Sequence, residues 1–288
     1  VYHKNSTATS VYAWGYREIK SNSSLYSEEQ GIINELSNIN DDARSIDDQP
    51  LRKGMYEDAM KLVRKRGMYM ENEVPAGKGG MAAVISLDAD AINAICDKIT
   101  SESGKVVSPA NYNCPGQIVI SGYTESVEAS VEPLKEAGAK MVSVLNVSGP
   151  FHSPMLKGAG DKLAEELKNV KFANPVIPYI NNADVDTITD ASVISDTLAR
   201  QVYSPVKWQQ TMEKMLEDGV DTFYEIGPGK TLAGFMKRID RSKKVITINT
   251  IEDLNSKNGT YVNDDILNPY PLDHGAFLEV EEVTLKEV

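Results

Sequence analysis

The sequence predicts an α/β protein with a partial doubly wound parallel sheet and a ferredoxin-like βαββαβ subdomain. Two observations support this. Apolar periodicity between residues 81 and 145 gives strands and helices in the order βαββαβ. Beyond residue 156, single strands alternate with helices, which implies a parallel sheet covered on both faces. Only about three strands follow the second pattern, so the parallel sheet is predicted to be partial.

The first well-patterned helix is predicted from Met55 to Glu71. Its apolar positions recur three and four residues apart, as one helix face requires: Met55, Ala59, Leu62, Val63 and Met70. Arg66 falls on the same stripe. A cation on an inward face needs a partner, because burying an unpaired charge is costly. A salt bridge to a nearby carboxylate would satisfy it.

The βαββαβ subdomain is assigned to residues 77–146. Its predicted elements are a strand at Met81–Leu87, a helix at Ala89–Ile99, strands at Val106–Tyr112 and Gln117–Gly122, a helix at Thr124–Ala137 and a strand at Lys140–Leu145. The run Asn113-Cys114-Pro115-Gly116 between the two middle strands is typical of a tight hairpin turn.

The alternating pattern follows in the second half. It comprises helix Lys157–Val170, strand Val176–Asn181, helices Ala191–Gln201 and Lys207–Glu217, strand Thr222–Ile226, helix Lys230–Ile239 and strand Lys244–Asn249. Gly229-Lys230-Thr231 lies between a strand and a helix, as a phosphate-binding loop would. Tyr224 stands where such a loop needs its first glycine, so we reject nucleotide binding.

The two ends do not share these patterns. Residues 1–53 are rich in polar residues, with a possible short helix at Ser27–Leu36, and are an unassigned leader. Residues 252–288 form a separate acidic tail, with nine acidic and two basic residues. The region between them, residues 54–251, is predicted to be the functional part of the chain.

Composition excludes several classes of function. A net charge of −12 argues against a general nucleic-acid surface. No apolar run reaches the roughly 20 residues of a membrane helix, so a cytoplasmic protein is expected. The two cysteines, Cys96 and Cys114, have no metal-ligand spacing and are expected to be reduced thiols; no metal is expected.

Six segments between residues 54 and 251 carry a family resemblance. They are Asp58–Gly67, Val74–Gly77 leading into Met81–Val84, Asn113–Gly122, Ser148–Met155 (Ser-Gly-Pro-Phe-His-Ser-Pro-Met), Gln201–Trp208 and Glu225–Lys230. Together they resemble the malonyl-CoA:acyl-carrier-protein transacylases. The resemblance implies an acyltransferase core in which the βαββαβ subdomain is an insertion. It also implies malonyl transfer from coenzyme A to acyl carrier protein in fatty-acid biosynthesis, with no further cofactor.

The resemblance assigns roles to four residues. His152 would be the general base, and the backbone carbonyl of Gln201 would orient its ring. Arg66 would bind the free carboxylate of the malonyl group as a bidentate fork, which explains a cation on an apolar stripe. Asn113 would line the pocket.

One part of the family pattern is missing from the sequence. The nucleophilic serine of the family lies in a Gly-His-Ser-Leu-Gly turn, and no Gly-x-Ser-x-Gly occurs in these 288 residues. Ser45 occupies the corresponding interval but lacks the flanking glycines that a strained strand-to-helix turn requires. The activity is therefore expected to be impaired, and an inactive truncated or fused remnant is the alternative.

A second resemblance concerns the tail. Residues 253–263 are similar to the end of forkhead-associated domains, which bind phosphothreonine peptides, and Asn258-Gly259 is a hairpin turn by its own chemistry. A phosphothreonine-peptide binding module is therefore a further alternative, although the earlier strands that carry the phosphate-binding residues of that family are absent from this sequence.

Overall fold

The computed structural model describes residues 9–11, 49–175, 178–227, 229–249, 261–262 and 265–266. The chain divides into two compact units. One comprises Val1–Lys61, Gly219–Gly234 and Ser242–Val288, and the other comprises Leu62–Asp218 and Phe235–Arg241. The sequence-based predictions for Ser27–Leu36, Ser45 and Asn258-Gly259 fall outside the described residues.

The described elements follow in chain order. The strands are β1 (Thr9–Val11), β2 (Gly79–Ile85), β3 (Val107–Cys114), β4 (Gln117–Tyr123), β5 (Met141–Val144), β6 (Tyr179–Ile180), β7 (Thr187–Ile188), β8 (Thr222–Ile226), β9 (Lys244–Ile248), β10 (Tyr261–Val262) and β11 (Asp265–Ile266). The helices are α1 (Gln49–Glu73), α2 (Ala89–Ser103), α3 (Thr124–Glu136), α4 (Lys157–Leu167), α5 (Ile194–Gln201), α6 (Trp208–Glu217) and α7 (Thr231–Ile239). None of these helices is long and apolar enough to cross a membrane.

The larger unit contains the ferredoxin-like sheet, with strand order β3-β4-β2-β5 and every neighbouring pair antiparallel. This is the order predicted from the βαββαβ pattern. Helix α2 buries Ile92, Cys96 and Ile99, which are spaced three and four apart, against the sheet residues Val84 and Ile120. The hairpin predicted between β3 and β4 is present, with Gly116 at a φ of 69° that favours glycine.

Helix α2 begins with a side-chain cap. Asp88 Oδ1 accepts a hydrogen bond of 2.9 Å from the backbone N–H of Ala91, which has no partner inside the helix. We expect Asp88→Ala to lower the free energy of unfolding by about 1 kcal/mol. Urea denaturation would measure this change. Asp97→Ala, an exposed position in the middle of the same helix, is the control, and an equal loss there would contradict the capping role.

The smaller unit contains a parallel three-stranded sheet of order β1-β8-β9. Strands β8 and β9 were predicted, but β1 was not assigned from the sequence. The prediction that Val176–Asn181 contributes a strand to the parallel sheet is wrong for the described residues of that range. Tyr179 and Ile180 instead pair antiparallel with β7, because the Asn181 side chain accepts from the backbone N–H groups of Ala183 and Asp184 and turns the chain back.

A carboxylate on β8 caps the first backbone N–H groups of α7. Glu225 accepts hydrogen bonds of 3.0 and 2.8 Å from the backbone N–H groups of Leu232 and Ala233 at the start of α7. Those amides are the groups that a phosphate would need. Their use by Glu225 supports the rejection of a nucleotide-binding loop at Gly229-Lys230-Thr231.

Helix α1 is longer than predicted, and its buried face differs from the predicted stripe. Leu62, Tyr69 and Met70 pack in one cluster with residues of α4. Tyr69 Oη and Lys65 Nζ both donate to Glu166 on α4, at 2.5 and 2.6 Å, and this fixes the rotation of α1. Ala59 and Val63 are therefore exposed, contrary to the prediction.

Candidate active site

The histidine segment follows β5 in the larger unit. Its Pro150 is buried and lies directly against Gly79 of β2, where an added Cβ would come within 2.3 Å of the proline ring. Gly79 therefore lets the segment approach the sheet closely. His152 itself has a φ of 57°, a left-handed conformation that is uncommon for a residue with a side chain. The close packing and the left-handed residue together define the position of the imidazole.

Two backbone carbonyls hold the His152 ring. Nδ1 lies 3.1 Å from the carbonyl oxygen of Gln201 and 3.2 Å from that of Ser204. A carbonyl can only accept, so Nδ1 carries the proton and donates it. Nε2 is then the unprotonated nitrogen, and no residue that the structure describes forms a hydrogen bond with it. A ring held in this way presents a proton acceptor at Nε2.

The sequence explains why the Gln201 carbonyl is available. It is the last residue of α5, and a continuing helix would pair its carbonyl with the N–H of residue 205. Residue 205 is proline, which has no N–H. Pro205 thus ends the helix and leaves the Gln201 oxygen for the imidazole.

The surroundings of His152 keep it neutral. The pKa of His152 is lowered from 6.5 to about 4, mainly by burial and further by the positive charge of Arg66. The two carbonyls oppose this, because they favour a protonated ring. The imidazole is therefore predominantly unprotonated at neutral pH, as a base must be.

The pKa of His152 leads to a prediction. We expect its NMR titration to have a midpoint near pH 4, and Arg66→Ala to move the midpoint upward because a neighbouring positive charge is removed. Since the unfolded state binds the proton near pH 6.5 and the folded state only near pH 4, this group lowers the stability as the pH falls between those values. A midpoint near 6.5 in the folded protein would contradict the buried site.

The other predicted site residues differ in whether they bond to His152 or act on its charge. The Gln201 carbonyl contacts its ring, and Arg66, which is half-buried, is near enough for its charge to act on it. Asn113 is half-buried in β3, at the register shift between Tyr112 and Cys114. Tyr112 and Ala110 of the same strand hydrogen-bond Val206, two residues beyond Ser204. Among the described residues, the ring of His152 hydrogen-bonds Gln201 and Ser204 and not Asn113.

Sequence reasoning missed the second carbonyl, from Ser204. Its position directly before Pro205 was a usable signal, because the residue before a proline is driven out of the helical conformation. The other carbonyl partner, Gln201, was assigned only through the family resemblance.

The described residues offer no hydroxyl to Nε2. Ser153, next to His152 in sequence, is fully buried, and its Oγ has no hydrogen-bond partner among the described residues. Burial closes it to an incoming thioester. Among the described residues, no group of three His, Cys, Asp or Glu side chains could hold a metal ion.

Comparison with known proteins identifies the family. Residues 53–263 match the acyl transferase domain family. The chain is 45% identical to the malonyl CoA-acyl carrier protein transacylase of Bacillus subtilis over 197 residues, 68% of this chain and 62% of that protein. The structure of the acyl carrier protein S-malonyltransferase of Vibrio cholerae matches with 45% identity and a TM-score of 0.66, over 68% of this chain and 64% of that one.

A third match is a type II PKS acyl-carrier protein in complex with its malonyl-transacylase, at 41% identity and a TM-score of 0.66, covering 68% of this chain and 62% of that one. The chain thus spans about three fifths of the length of the first relatives it matches. The family match covers residues from α1 through β10, including His152 and Arg66. On this evidence the chain belongs to the acyl transferase domain family.

Proposed function

We propose that this protein takes part in malonyl transfer from coenzyme A to acyl carrier protein, with His152 as the catalytic base. The observation that carries the proposal is the hydrogen bonding of His152. Nδ1 donates to two carbonyls, and no described residue forms a hydrogen bond with Nε2, which is the arrangement a general base requires. Relatives at 45% identity carry this activity in their names.

In the acyl transfer, His152 would first accept a proton and then donate it. A nucleophile gives its proton to Nε2 as it bonds to the thioester carbonyl carbon. The tetrahedral species then collapses, the carbon–sulfur bond of coenzyme A breaks, and the imidazolium returns the proton to the departing sulfur. Malonyl-CoA is the substrate in this proposal, and no further cofactor is needed.

Arg66 is the proposed recognition group for malonate. Its guanidinium can bind a carboxylate through two parallel hydrogen bonds, which acetyl groups cannot receive. It lies near His152, as the effect on the pKa of the histidine indicates. A bound carboxylate would offset the positive charge of Arg66, and the pKa of His152 would then rise. Substrate binding would thereby make the base stronger.

Acyl carrier protein is the proposed acceptor. The solved complex of a malonyl-transacylase with an acyl-carrier protein supports this assignment. A cytoplasmic location also remains a proposal. It fits the reduced state of the two buried cysteines, Cys96 and Cys114.

The proposal is tested by incubating the full chain with malonyl-CoA and measuring its intact mass, followed by peptide mapping. We expect one malonyl ester, and the mapping will identify the hydroxyl that serves as nucleophile. Acetyl-CoA serves as the parallel control. If the folded protein binds malonyl-CoA but neither acquires an ester nor transfers malonyl to acyl carrier protein, the site is a binding remnant and the proposed activity is wrong.

A further inference from the structure

We propose that Asn182 is a positioning residue for His152, acting through the segment that carries the two histidine-binding carbonyls. Asn182 lies in the turn between β6 and β7 and is half-buried. It is not one of the described hydrogen-bond partners of the imidazole. The inference deepens the proposed function, because it concerns how the same base is kept in its working tautomer.

Asn182 contacts the carbonyl-bearing segment, residues 201–207, at both ends. Its side-chain oxygen accepts a hydrogen bond from the Gln201 side-chain amide. Its backbone carbonyl accepts one of 2.8 Å from the N–H of Lys207. The residues between these two points include Ser204. One residue therefore spans the stretch of chain on which both hydrogen bonds to His152 depend.

The rest of the segment is held by backbone hydrogen bonds. Near its end, Val206 is tied to β3 by hydrogen bonds of 2.7 and 2.8 Å with Ala110 and Tyr112. At its start, the N–H groups of Tyr203 and Ser204 donate to the Arg200 carbonyl, at 3.1 and 3.0 Å. The Gln201 carbonyl has no donor within the helix, and the side-chain bond to Asn182 ties this residue to the β6–β7 turn.

Asn182 itself is placed by its neighbours. The Asn181 side chain caps the backbone N–H groups of Ala183 and Asp184, and Asp184 forms a paired salt bridge with Arg200 on α5, both bonds being 2.7 Å. The turn is therefore docked on α5 one residue before Gln201. A bidentate ion pair next to the hydrogen bond gives Asn182 a defined position.

Nitrogen-15 NMR of the His152 ring tests the inference, since it separates the Nδ1–H tautomer from the Nε2–H tautomer without requiring enzymatic activity. We expect the wild-type protein to hold Nδ1–H almost entirely. Asn182→Ala should give a mixture of the two tautomers. Asn182→Asp, which keeps an acceptor of the same shape, should retain Nδ1–H. An unchanged tautomer in Asn182→Ala, or its loss in Asn182→Asp, would overturn the proposal.

A control and a second route keep the test decisive. Asp88→Ala, which removes the cap of α2, should lower the melting temperature but leave the tautomer unchanged. An equal tautomer change there would show general loosening and overturn the specific role. Gln201→Met removes the donor of the same bond and should give the same mixture of tautomers as Asn182→Ala. It takes the place of Asn182→Ala in the test if that variant does not fold. A normal tautomer with no malonyl transfer would refute the proposed function alone.

Discussion

Replacing Arg66 with alanine is expected to abolish the preference for malonyl-CoA over acetyl-CoA. The charge of the guanidinium acts on His152 and lowers its pKa. A carboxylate left without its cationic partner in a partly buried site loses about 2 to 3 kcal/mol, close to 10²-fold in affinity. Calorimetric titration of each variant with both thioesters would measure it. Affinity for acetyl-CoA should hardly change.

Two variants refine this experiment. Arg66→Lys keeps the charge but loses the planar fork, and should recover only part of the preference. Arg64→Ala, an exposed arginine on the same helix, should bind malonyl-CoA like the wild type. If Arg66→Ala kept full selectivity, the carboxylate would be recognised elsewhere and Arg66 would have only a structural role.

Removal of the imidazole should act on rate rather than on binding. We expect His152→Ala to slow malonyl transfer by about 10² to 10⁴-fold, the usual contribution of a general base. The affinity for malonyl-CoA should stay within about twofold, because Nε2 takes part only once a proton moves. Transfer to acyl carrier protein, followed by mass spectrometry, gives the rate.

The pH dependence provides a second criterion. Because the pKa of His152 in the free protein is lowered to about 4, the wild-type kcat/KM should be flat from neutral pH down to about 5 and fall below that. The variant should lose this dependence. His274→Ala, which changes a histidine of the tail, should transfer at the wild-type rate. Full activity in His152→Ala would show that another residue is the base.

Local patterning was a good guide where each element packs against the next one in the chain. The subdomain from β2 to β5 illustrates this, because strand alternation, helix spacing and the turn at Gly116 are short-range properties that agree with one another. The site was harder to predict. His152 and Gln201 are 49 residues apart in the sequence. Their contact was predicted only from the family resemblance.

The failures share a physical cause. Val176–Asn181 is apolar enough to be a strand, but its partner was decided by the Asn181 turn, which reverses the chain within a few residues. Val63 fits the helical stripe by spacing, yet the rotation of α1 is set by the hydrogen bonds of Lys65 and Tyr69 with Glu166. In both cases apolar periodicity fitted more than one arrangement of the chain, and polar side chains determined which arrangement forms. Asn182 belongs to the same class of residue.

The left-handed backbone of His152 is strained, and its ring offsets part of that strain. At a φ of 57° a glycine would be less strained than a histidine, because it has no Cβ to crowd the neighbouring carbonyl. A glycine would, however, leave the carbonyls of Gln201 and Ser204 without the donor that now serves both. The ring that acts as the base therefore also stabilises the turn that carries it.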